Sequence, residues 1–132
     1  MRALDEALTA FYRQSVLTSP QYELAGLWPD MAPDNTPAPY ITYTMPGATP
    51  DDATGQDNDD VAVAFHIRSE AISVRPIGLI FEAFIKTFDD AKIPISGYTT
   101  VRFDRIGGGR SKDVDGGWVW VVNYMWHIQK GA

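Results

Sequence analysis

Asp57-Asn58-Asp59-Asp60-Val61 is a dense run of oxygen donors, the ligand type that holds calcium. An EF-hand loop also needs a glycine at its sixth position and a bidentate glutamate at its twelfth, and neither follows here. The run therefore reads as solvated loop. Gly107-Gly108-Gly109-Arg110-Ser111-Lys112 has the composition of a phosphate cradle. It lacks the G-x-x-x-x-G-K-[ST] spacing and lies between two predicted strands instead of a strand and a helix. Its glycines read as hinges of a long hairpin, and Arg110 and Lys112 as candidates for contact with a partner or with nucleic acid. His66 and His127 each fall on the less apolar face of a strand, where they could be neighbours across a sheet. Two imidazoles without a placed carboxylate make a weak metal site, so structural roles are favoured.

Nucleophile chemistry fares no better. None of serines 15, 19, 69, 73, 96 and 111 stands in a G-x-S-x-G elbow. The paired carboxylates Asp5/Glu6 and Asp89/Asp90 sit at helix ends, where desolvation to tune a general acid is not expected. The chain has no cysteine, which removes thiolate metal sites, disulfides and a thiol nucleophile. The expectation is a protein that is not an enzyme, with no cofactor and no metal. Trp118, Trp120, Tyr124 and Trp126 alternate along one face and resemble a base-stacking platform, but such platforms sit in basic grooves. Core packing against Phe81, Phe84 and Phe88 is the simpler reading. Some aromatics remain candidates for a subunit interface, Trp28 and Tyr40 among them.

The elements that must position these residues are legible as periods. Leu4, Leu8, Phe11, Tyr12 and Val16 recur at helical spacing and predict a helix over 2–17. A proline-pinned connector follows over 20–39, tacked to the body by Leu24, Leu27 and Trp28. Tyr40–Thr44 predicts a short strand, and 61–68 alternates apolar and polar as a half-buried antiparallel strand does. A second helix is predicted over 74–90, with Gly78 expected to allow close packing. Two further strands are expected around Tyr98–Ile106 and over Trp118–Ile128, the latter apolar on both faces and so central or doubly covered. The order is α-β-β-α-β-β. It predicts an α+β fold, with two helices packed on one face of a four-stranded, mainly antiparallel sheet. One domain over 1–132 is expected, with extended loops at about 18–39, 45–60 and 107–117.

At 132 residues and 14.6 kDa, with 45% hydrophobic residues, the chain suffices for one packed domain. Met1–Glu6 turns charged at once and reads as no secretory signal, and no apolar run approaches the roughly 20 residues of a membrane span. The formal net charge of −6 disfavours a free-standing DNA binder. Its placement says more. Between Gln14 and Ile67 there is no Lys or Arg, but there are eight acids: Glu23, Asp30, Asp34, Asp51, Asp52, Asp57, Asp59 and Asp60. That stretch carries −8, leaving −6 − (−8) = +2 for the rest, and it holds seven of the nine prolines.

Four features in this order resemble the tail terminator or tail-completion family of tailed bacteriophages, with its related minor tail and neck proteins. They are the amphipathic opening helix, the proline-led strand Pro37-Ala38-Pro39-Tyr40-Ile41-Thr42-Tyr43, the alternating strand Val61–Arg68 leading into the second helix, and the aromatic final strand ending in Trp126-His127-Ile128. The resemblance implies a virion protein assembled in the host cytoplasm and no catalytic residues. It implies a hexameric ring at the head-proximal end of the tail tube that ends tube polymerisation. Its partners would be further copies of itself, the tail tube protein and the head connector or neck protein, with genomic DNA passing through the lumen. On that reading the acidic loop residues Asp51, Asp52, Asp57, Asp59 and Asp60 face the lumen, where they would repel phosphates. Another neck or injection-machine ring subunit is the neighbouring reading. A small-ligand domain is the remote one, and it would need a pocket between the sheet and helix 74–90.

Overall fold

A computed structural model describes residues 2–45, 58–69, 75–112 and 117–131. Helix α1 (Arg2–Arg13) buries Leu4, Ala7, Leu8 and Tyr12, with Asp5 in its first turn and Arg13 in its last, both favourable to the helix dipole. It stops short of the expected residue 17. The Ser15 hydroxyl donates to the Tyr12 carbonyl and accepts from the Leu17 N–H, which diverts the chain into a 3₁₀ turn (Val16–Thr18). Val16, expected on the buried face, is left 52% exposed. A second 3₁₀ turn (Pro20–Tyr22) follows.

The sheet has five strands, not four, and is mixed. Within the connector, β1 (Leu27–Pro29) pairs parallel with β2 (Tyr40–Thr44). β3 (Asn58–Ser69) is antiparallel to β2 and to β5 (Trp118–Lys130), and β4 (Tyr98–Lys112) is antiparallel to β5. The spatial order is β1-β2-β3-β5-β4, so α2 (Arg75–Phe88) crosses over β5 to reach the far edge. The stretch 107–117, expected as an extended loop, is paired strand as far as Lys112. Residues 46–57, most of the expected acidic loop, lie outside the described residues.

Both helices lie on one face. Phe11 of α1 meets Phe88 of α2 edge-on at 5.3 Å, and Phe84 and Phe88 stack at 4.5 Å. Beneath them Phe65, fully buried, touches the rings of Tyr43, Phe84, Phe88, Phe103 and Tyr124. These rings pack between the sheet and α2. Trp126 is also fully buried, and its indole N–H donates to Thr100 Oγ1, which donates in turn to the Ile93 carbonyl. The aromatic ladder is thus core in part: Trp120 stacks on Phe81 at 4.0 Å, while Trp118 and Trp120 are only partly buried. Gly78 does not serve close packing, since no described atom lies within 4 Å of where its Cβ would stand.

Two buried hydroxyls bolt the helices to the sheet. Tyr43 donates to Asp5 of α1 and Tyr124 to Asp89 just past α2, each at 2.7 Å. Burial first, then the adjacent carboxylate, holds both phenols above the ordinary value of 10.0. They ionise more readily in the unfolded chain, so their stabilisation is complete below about pH 10 and is lost as pH rises past that value. Thermal melts between about pH 8 and pH 11 are expected to fall steeply above pH 10, and less steeply in the Y43F/Y124F double variant. An equally steep fall in the double variant refutes the assignment.

Candidate functional site

The sheet presents two unlike edges. Among the described residues β4 has no strand on its outer side; it carries Arg102, Arg105, Arg110 and Lys112, with the apolar side chains of Val101 and Ile106 41% and 57% exposed. β1 forms the other edge, ending in Pro29 and followed by the exposed acids Asp30 and Asp34. The charge asymmetry seen in the sequence is therefore spatial, with its basic part on one flank and its acidic connector on the other.

On the basic flank β3, β4 and β5 end level, since Trp118 pairs with both Ser69 and Lys112, and Arg110 pairs with Trp120. Period-two pairing puts both cations on the helix-bearing face. The Arg110 guanidinium lies 5.6 Å and 5.8 Å from the Trp118 and Trp120 rings, and the Lys112 ammonium 6.0 Å from Trp118. Phe81 of α2 backs Trp120, so the cations rest on an aromatic shelf anchored in the core. At the shelf's root Arg105 meets Asp89 at 3.3 Å, the carboxylate that also holds Tyr124. Gly108 lets β4 pass close over β5 there: its φ is +145°, and a Cβ would stand 2.1 Å from the Val121 carbonyl oxygen.

Trp28 and Tyr40 occupy the acidic flank, in edge contact at 6.3 Å and half-buried. The fold thus keeps the four candidate interface residues in two pairs on opposite edges. Beside Tyr40 a groove of about 910 Å³ opens between the connector and α2. Val16, Tyr22, Glu23 and Pro39 line one wall; Leu79, Glu82 and Lys86 line the other.

His66 and His127 are not neighbours. His66 pairs with Thr42 and Val121 on the face away from the helices, and burial, then Arg68, lowers its proton affinity. His127 has what the sequence did not place, two carboxylates: Asp60 at 2.6 Å from Nδ1 and Asp104 at 3.3 Å from Nε2, the latter also 3.6 Å from Arg102. Sequence reasoning missed this cluster because cross-strand register creates it. Among the described residues no group of three or more His, Asp or Glu side chains is placed to hold a metal ion. Of the candidate loop acids, Asp59 accepts from the Asp60 N–H and Asp60 faces His127, while Asp51, Asp52 and Asp57 lie outside the described residues. No helix among the described residues is long and apolar enough to cross a membrane.

The chain thus presents an α+β core of packed aromatic rings that carries an aromatic shelf, an open groove and oppositely charged flanks. The chain belongs to the tail completion protein gp17 family, whose model matches residues 4–129. It is accordingly a structural protein of the bacteriophage virion, located in the tail. Among solved structures it is similar to a chain of the virion of the native gene transfer agent (GTA) particle. The two share a TM-score of 0.74 at 12% identity, over 96% of this chain and 95% of that one, and the likeness is one of fold. No curated protein matches the chain.

Proposed function

We propose that this protein forms a ring, hexameric in its simplest form, at the head-proximal end of the tail tube. There it ends tube polymerisation and joins the tail to the head connector. The family match over residues 4–129 carries this reading. The fold supports it: a rigid sheet with unlike edges suits cyclic contacts, which need two different surfaces on each copy. The tube protein and the connector or neck protein are its axial partners, and genomic DNA passes through the lumen without base-specific contact. The acidic segment that contains Asp51, Asp52, Asp57, Asp59 and Asp60 lines that lumen, repelling phosphates that basic groups would retain.

The test is a phage or tail-expression system lacking this chain, imaged by negative stain. DNA-filled heads separate from tails, with tubes of irregular length, are the expected products. Tails of normal length attached to heads would overturn the reading.

A further inference from the structure

Two surfaces of this chain complement each other yet lie on opposite flanks of α2. On the Phe81 flank stand Arg110 and Lys112, which make no ion pair with any described carboxylate. Leu79, Glu82 and Lys86 recur at spacings of three and four on the other flank and form a wall of the groove. Both surfaces lie at the same end of the sheet, where Tyr40 pairs with Arg68 and Lys112 with Trp118, and both belong to the helix-bearing layer. In the groove Glu23 and Glu82 outnumber Lys86, and Val16 and Leu79 at its mouth are 52% and 56% exposed. The basic flank offers Ile106, 57% exposed, next to Arg105 on the same strand.

We propose that a second copy of this chain fills the groove. The basic end of the β4–β5 pair of one copy lies against its neighbour's groove, with Arg110 and Lys112 facing Glu23 and Glu82 and with apolar groups at the mouth. Because the surfaces differ and sit on opposite flanks at one height, the contact is heterologous and propagates head to tail, the geometry that closes into rings. The inference rests on the ring reading above and names the surfaces that make its lateral contact. A second copy is favoured over nucleic acid as the occupant of the groove because Glu23 and Glu82 repel phosphates, whereas a basic and partly apolar protein surface complements both its charge and its lining.

The absence of cysteine makes the contact testable by disulfide trapping, since every thiol is an introduced one. A K112C chain and an E82C chain are mixed under oxidising conditions, alone and together, and analysed by non-reducing electrophoresis and sedimentation. Covalent dimers are expected in the mixture and not in either chain alone. Adding R110E to the K112C chain is expected to lower the yield on the order of tenfold, and adding E23K to the E82C chain to restore it. Self-linking of K112C alone would mean a two-fold contact and overturns the proposal. So does a mixture without links. If rings still sediment in that mixture, the ring reading survives and only this contact is lost. Loss of duplex-DNA binding in R110E, with link yield unchanged when R110E is added to the K112C chain, reassigns the shelf to nucleic acid and likewise overturns it. Links that form in a protein whose deletion leaves tails joined sink the ring-at-the-tube reading alone.

Discussion

Replacing Phe65 with alanine is expected to cost about 3–5 kcal/mol of folding stability. The ring is fully buried at the centre of five aromatic neighbours drawn from β2, α2, β4 and β5, so four elements lose a shared contact at once. The surrounding rings are themselves packed together, Phe103 and Tyr124 stacking at 4.5 Å, and cannot collapse far into the void. Domains of this size have only about 5–15 kcal/mol in total, so F65A removes a large share of it. Urea denaturation is the measurement, with F65L as a milder comparison. A loss under about 1.5 kcal/mol would show that Phe65 is not the keystone described.

The second large effect is expected at Gly108. Alanine there meets the Val121 carbonyl at 2.1 Å and Val121 and Val122 backbone carbon atoms at 3.1 and 3.2 Å, in a conformation that L residues rarely adopt. Backbone cannot swing aside as a side-chain tip can, so β4 must lift from β5. The cost is about 2–4 kcal/mol, and it falls on the part of the β4–β5 pair that carries the aromatic shelf. Gly107 and Gly109 are the internal controls, because a Cβ at either meets no described atom within 4 Å. Amide exchange is expected to accelerate at Val121 and Val122 in G108A, while G109A resembles the parent. Parallel behaviour of the two variants would refute the close approach. If the shelf makes the lateral contact proposed above, G108A also weakens assembly without touching a charge.

Much of this architecture was legible in the sequence because its signals are local periods. The alternation at 61–68 and along Trp118–Ile128 identified the two central strands, and apolar spacing at three and four identified both helices. β1 escaped because Leu27-Trp28-Pro29 is too short to show a period. Its parallel pairing with β2 is settled by tertiary packing, not by its own residues. The helix boundary near residue 17 failed for a different reason: the period continues to Val16, but the Ser15 hydroxyl competes for the backbone bonds that would extend it. The glycine run read as a hinge because glycine weakens strands in isolation; here one glycine is required by the close crossing of its neighbour. Register was the missing quantity elsewhere. It puts Asp60 and Asp104 on His127 and lays Arg110 over Trp118 and Trp120, and no single-strand pattern contains it.

The two edges have one more consequence, which concerns what the chain avoids. An edge strand as long as β4, fifteen residues, whose outer side meets no strand among the described residues, is a template on which an extended peptide can add by backbone hydrogen bonds. Repeated addition of that kind is a route to amyloid-like aggregates. β4 is guarded on both counts that matter. Register shifts at Thr100/Arg102 and Arg105/Gly107 break its regular spacing of donors and acceptors, and four cations along it repel a second copy of the same edge. The opposite edge is guarded by brevity, with three residues of which the last is a proline. Neighbours are therefore selected by side chains and shape, and indiscriminate strand-to-strand stacking is denied a foothold at either end of the sheet.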